Sequence, residues 1–194
     1  MAHKIEKKVK SVKVKKEVYT DASMTRRLLA YFIDWYVGGL AVSFPISMIA
    51  QKLYGTMLRQ DIMHFDKPYG LYAGLAGLIF AFLYFVIVPM FVWKGQTFGK
   101  RICKIKIVNK DDTCVSWESM ILRQVVGIIF VENALVTASA IWHQVATIAF
   151  GVDFVTPFKY LGMALVLVSS LLVLFGKEHR AIHDFIGNTK VVNM

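Results

Sequence analysis

Arg27 and Asp34 stand seven residues apart in Arg27-Leu-Leu-Ala-Tyr-Phe-Ile-Asp34-Trp-Tyr-Val-Gly-Gly-Leu, a stretch otherwise apolar enough to enter a lipid bilayer. On a helix that spacing is two turns, one face, and about 10 Å along the axis. An ionisable side chain at membrane depth costs roughly 2.5 kcal/mol or more, so it faces a partner or a water-filled cavity. A carboxyl there either takes up a proton or keeps its charge beside a cation. Two roles are open: a proton or cation site, and a polar clamp that fixes helix register. Arg27 can also snorkel to the interface. Asp34 would then meet a donor on another helix, or Arg101 or Arg123.

Other residues offer further chemistry. Glu132-Asn133 places a carboxylate beside an amide, oxygen donors of the kind hard cations use. The same Glu would serve as a protonated acid hydrogen-bonded across helices. His179 and His183 stand at i and i+4, but no Glu follows the first His, so the metalloprotease pattern is absent and no metal is expected. Asp184 suits a cap or clamp that accepts bonds from backbone N–H groups or from Arg27 and Arg101. Gly95-Gln-Thr-Phe-Gly99-Lys100-Arg101 lacks the spacing and the hydroxyl residue of a phosphate loop. Lys100 and Arg101 are instead candidates for contact with lipid phosphate. Cys103 and Cys114 match no zinc spacing. No nucleophile with an oriented base and no cofactor motif is visible, so neither an enzyme nor a bound cofactor is expected.

These residues need membrane helices to hold them. The 194 residues are 56% hydrophobic and 19% charged. The mean hydropathy of +0.52 is high for a soluble domain. Apolar blocks predict spans at about 27–50, 70–93, 119–141 and 158–175, each near the 20 residues a bilayer requires. The third block runs on to Phe150, too long for one untilted span, and its boundary is the least defined. Pro45 should kink the first span or cost it a hydrogen bond. Gly70, Gly74 and Gly77 form a small-residue face for close packing in the second.

The net charge of +10 does not point to nucleic acid, because it is concentrated beside the spans. Residues 1–22 form a basic tail with no signal-peptide core. The tail reads as disordered, or as lying against anionic lipid. A second basic cluster lies in the loop 94–118. With four spans both clusters and both termini fall on one side, as the positive-inside rule expects of the cytoplasm. Within the loop, Lys104-Ile-Lys-Ile-Val108 alternates like a strand, Asn109–Asp112 reads as a turn, and Thr113–Trp117 would return as its hairpin partner. Lys190-Val-Val would add a third short strand.

Three blocks resemble the RDD family of small membrane proteins, named for one arginine and two aspartates. They are Arg27 to Asp34, Gly95 to Val108, and His183-Asp184-Phe-Ile-Gly-Asn-Thr189-Lys-Val-Val. Arg27, Asp34 and Asp184 fall on the name-giving positions. The longer third hydrophobic region and its Glu132 depart from the pattern. The resemblance implies a bacterial-type integral membrane protein, for which transport, including cation/proton exchange, has been proposed.

The expected fold is an all-α membrane protein of about four transmembrane helices with a small cytoplasmic β-hairpin, residues 23–194 forming one membrane domain in the cell membrane. Four spans make a thin pathway, so a transporter of this size would be a homo-oligomer. The other reading is a non-transporting adaptor that binds a membrane-protein partner or anionic lipid.

Overall fold

A computed structural model describes residues 19–133 and 136–194, with the Val136 side chain left aside. Most of the basic tail, residues 1–18, therefore lies outside the described residues. Helix α1 (Met24–Tyr54) runs through Pro45 and ends at Gly55, whose φ of 71° lets its N–H reach the Gln51 carbonyl. Its buried positions are Ala30, Asp34, Gly38, Val42, Ile46 and Ala50. They recur every fourth residue, one ridge of the helix surface. Asp34 occupies a core position on that ridge.

Helix α2 (Tyr69–Phe82) continues as a wider π-helical stretch, Leu83–Val92, which contains Pro89. Its glycines do what their spacing suggests. A Cβ on Gly70 would stand 2.4 Å from the Ile62 carbonyl oxygen, and one on Gly74 would stand 2.3 Å from Val145. A Cβ on Gly77 would press Ile46 at 3.1 Å. After α2 come α3 (Phe98–Ile102) and strand β1 (Ile105–Asn109). Helix α4 (Trp117–Ile121) then begins on a Ser116 cap and widens into a second π-helical stretch, Leu122–Glu132.

The helix expected across 119–141 breaks at Asn133, which adopts a left-handed φ of 53°. Asn tolerates that conformation better than most residues. Helix α5 (Val136–Phe150) departs at 69° to the preceding segment. The break leaves polar groups that need partners inside an apolar bundle. Trp142 Nε1 donates to the Ile129 carbonyl at 3.0 Å, and Asn133 Nδ2 donates to the Phe158 carbonyl at 3.0 Å. Helix α6 (Val155–Phe175), short helix α7 (Ile182–Ile186) and strand β2 (Thr189–Asn193) complete the order.

Among the described residues three helices are long and apolar enough to cross a membrane, or four if the bent pair is one broken span. Their apolar side chains point mostly outward: only 11% of the most apolar window of α6 is buried, leaving Leu161, Leu167 and Leu171 exposed. In water such faces would drive association, and a bilayer covers them. The chain is therefore a mostly helical, multi-helix membrane protein.

The expected β-hairpin does not form. Strand β1 pairs antiparallel with β2, Ile107 opposite Val191, and Thr113–Trp117 supplies one isolated bridge, Val108 to Cys114. The turn does form, with Asp112 N–H on the Asn109 carbonyl, but the chain leaves at Ser116 to start α4. The two paired strands share one burial pattern; Ile105 and Val191 pack with Ala22 and Ala30, and Ile107 packs with Val86 and Met120. The end of the basic tail is also structured: Ala22 N–H binds the Val191 carbonyl, and Asn193 N–H binds the Thr20 carbonyl. Residues 20–22 and 191–193 thus meet at one end of the bundle, the sheet end.

Candidate functional site: three buried carboxylates

Asp34 and Arg27 do not pair. Asp34 is 3% exposed, and its two oxygens accept four bonds. One oxygen takes Tyr84 Oη at 2.9 Å and the Gly99 backbone N–H at 2.8 Å. The other takes Lys100 Nζ at 3.0 Å and the Thr97 hydroxyl. An ionised carboxylate offers about four lone-pair sites, so this one is saturated. Gly99 permits the approach: a Cβ there would meet the Ala30 carbonyl oxygen at 2.4 Å. Thr97, in the cap position of α3, makes no capping bond of its own, and the carboxylate from α1 binds the first turn in its place. The cation beside Asp34 is Lys100, not Arg101 or Arg123. Lys100 is thereby withdrawn from contact with lipid phosphate. Arg101 stays exposed, its guanidinium 5.0 Å from the Trp93 ring centre, and does not reach Asp184.

Arg27 goes instead to Asp184, Nη2 to Oδ2 at 2.7 Å. Arg123 binds the other oxygen through Nε at 3.2 Å and Nη2 at 2.9 Å. The Ala181 N–H adds a bond to Oδ2 at 3.1 Å. Burial pushes this carboxyl up, but the charges of Arg123, His183 and Arg27 outweigh it and hold Asp184 far below the usual carboxylate range. Two glycines seat α7 against the π-helical stretch after α4. A Cβ on Gly127 would meet His183 Cβ at 2.7 Å, and one on Gly187 would meet Arg123 Cβ at 2.7 Å.

Glu132 and Asn133, adjacent in sequence, face different partners, so they do not form a common oxygen-ligand pair. The left-handed turn at Asn133 separates them. Asn133 Oδ1 meets His143 Nε2 at 3.1 Å. Its amide also packs so closely on α6 that a Cβ on Gly162 would stand 2.4 Å away. Glu132, 2% exposed, accepts Ser169 Oγ at 2.9 Å and the His183 N–H at 2.6 Å on one oxygen. Its other oxygen lies 2.8 Å from His183 Nδ1. The second ring nitrogen of His183 lies 3.8 Å from Asp184 Oδ1. His183 thus stands between two carboxylates. His179 points elsewhere, to the Val173 carbonyl, so the two histidines do not share a ligand.

Tyr84, Thr97 and Ser169 were absent from the sequence-derived set. Ser169 carried a weak signal: with Gly162 it marks one small-residue line, seven apart, and these are the two buried positions of α6. Tyr84 and Thr97 carried none, because their role depends on which side of α1 receives α3.

The contacts knit together the three blocks that suggested a family. The RDD family's sequence profile matches residues 21–188. The chain is 29% identical over 175 residues to the uncharacterized protein YckC of Bacillus subtilis (strain 168), covering 90% of this chain and 85% of that protein. No solved structure matches. A profile match across most of the chain, with Arg27, Asp34 and Asp184 all buried or part-buried in ion pairs, establishes that the chain belongs to the RDD family.

Proposed function

We propose that this chain is a proton-translocating membrane protein, not an enzyme, with Glu132 and His183 as its proton-binding pair. The carrying observation is a contrast among the three buried acids of the described residues. Asp34 is held by Lys100, and Asp184 by Arg27 and Arg123. Among the described residues Glu132 pairs with no Lys or Arg; its ion-pair partner is the imidazole of His183, 2.8 Å away. A proton entering the Asp34 or Asp184 site must break an ion pair with a Lys or Arg. A proton entering at Glu132 binds the oxygen that faces the His183 ring, whose Nδ1 can accept it in one neutral tautomer, while the Ser169 hydroxyl and the His183 backbone N–H stay on the other oxygen.

The reading moves the proton site from Asp34, which becomes a structural clamp. It also narrows cation/proton exchange to proton transfer, since Asp34 has no lone pair left for a cation. Orientation follows from charge: the sheet end, which carries residues 20–22 and the basic segment from Lys94 to Lys110, faces the cytoplasm of the cell membrane.

Purified protein in liposomes, with a pH-sensitive dye inside and an imposed membrane potential, tests the proposal. Glu132→Gln, which keeps shape and loses the titrating proton, is expected to lower proton flux at least about tenfold, a loss of roughly 1.4 kcal/mol. Folded Glu132→Gln carrying proton at the wild-type rate would refute the assignment. A wild type without flux, recovered with a stoichiometric membrane-protein partner, would favour the adaptor reading.

A further inference from the structure

We propose that the segment Trp93–Lys104, where the chain leaves α2 and forms α3, binds the headgroup of an anionic phospholipid. The inference starts from which cations already have partners. Lys100 is taken by Asp34, Lys110 by Glu178 and Lys190 by Asp112. Lys94, Arg101 and Lys104 are exposed and pair with no carboxylate among the described residues. Three positive charges without a counter-charge, in so short a segment, call for an anion from outside the chain.

The apolar side chains around them say which anion. Phe91 and Val92, at the end of α2, are 71% and 59% exposed. On α3, Phe98 and Ile102 are also exposed, one turn apart. Trp93 lies between, with its ring 6.2 Å from Phe98. This strip continues the apolar flank of a spanning helix, and Trp is the residue type that settles at headgroup level. The Arg101 guanidinium sits over the Trp93 ring, 5.0 Å from its centre, a contact that takes up none of its N–H donors for an oxygen. Those donors suit a phosphodiester, which they can grip in two places. A soluble anion would match the charges but not the apolar strip.

Nanodiscs of phosphatidylcholine, alone or with phosphatidylglycerol, test the proposal by thermal unfolding and by native mass spectrometry of retained lipid. Phosphatidylglycerol is expected to raise the wild-type midpoint by about 2–4 °C or more. The triple variant Lys94→Gln/Arg101→Gln/Lys104→Gln should lose that shift, and Lys52→Gln/Lys67→Gln/Lys159→Gln, away from this segment, should keep it. Equal loss in both variants would reduce the effect to bulk charge and overturn the site, as would a triple variant that keeps the shift. Inorganic phosphate stabilising the protein equally in plain phosphatidylcholine would overturn the lipid as source. Should the triple variant not fold, Arg101→Gln alone decides: reduced retention of phosphatidylglycerol supports the site, and unchanged retention overturns it.

Discussion

Asp34 shows how a buried charge is compensated. Four donors from the π-helical continuation of α2, from α3 and from the turn before α3 converge on it, and one is the Lys100 ammonium. Removing one charge of a buried pair leaves the other desolvated and uncompensated, at a cost of about 3 kcal/mol or more. Asp34→Asn should therefore lower the thermal midpoint sharply, because the amide keeps one acceptor oxygen and turns an NH2 donor either on Lys100 and Thr97 or on Tyr84 and the Gly99 N–H. Proton flux per folded molecule should stay near wild type. Loss of flux at unchanged stability would return the proton site to Asp34. Side-chain type revealed Asp34 as costly, and its burial could be read from the sequence. Its partner could not, because Lys100, Arg101 and Arg123 are all cations within reach of any sequence-level argument.

At the scale of elements, the broken third region is the feature that sets the others. Asn133 ends the π-helical stretch in a left-handed turn and sends its amide against Gly162 of α6. Helix α6 docks through its two buried residues, Gly162 and Ser169, and through Phe158, whose ring packs on Trp142. Gly162→Val should force its branched side chain into the Asn133 amide and cost about 1–3 kcal/mol. The measurement is the thermal midpoint in detergent, with Gly39→Ala as a milder comparison whose Cβ would meet Thr137 at 3.2 Å. A Gly162→Val protein as stable as wild type would show that α6 docks by other means. The strand partner was the element least legible in sequence. Val108 to Cys114 is local and looks like a hairpin, whereas β1 to β2 joins residues far apart in the chain, and local alternation cannot rank the two.

Across the whole molecule, Asp184 ties three distant parts together: Arg27 at the start of α1, Arg123 in the π-helical stretch and its own short helix α7. Its depressed pKa makes this tie dependent on pH. The unfolded chain takes a proton on Asp184 near the ordinary carboxylate value of about 3.9. The folded chain takes it only at lower pH. The stabilisation is thus fully present above that ordinary value and is lost as pH falls towards the folded pKa. Unfolding followed downward from neutral pH should show wild-type stability declining below about pH 4. Asp184→Asn should be less stable at neutral pH and show a shallower acid decline. Equal declines in the two proteins would remove Asp184 as the source.

What composition and pattern determined by themselves was the membrane character, the helical segments and the identity of the costly residues. Hydropathy is a sum over neighbours in sequence, and a carboxylate in an apolar run is conspicuous wherever the chain goes. Folding alone decided the pairings: Arg27 with Asp184, Asp34 with Lys100, Glu132 with His183. Each joins segments far apart along the chain, and Coulomb attraction falls with distance in space, which one-dimensional spacing does not encode. The turn at Asn133 then sent two adjacent polar residues to opposite partners, turning an apparent ligand pair into two separate contacts.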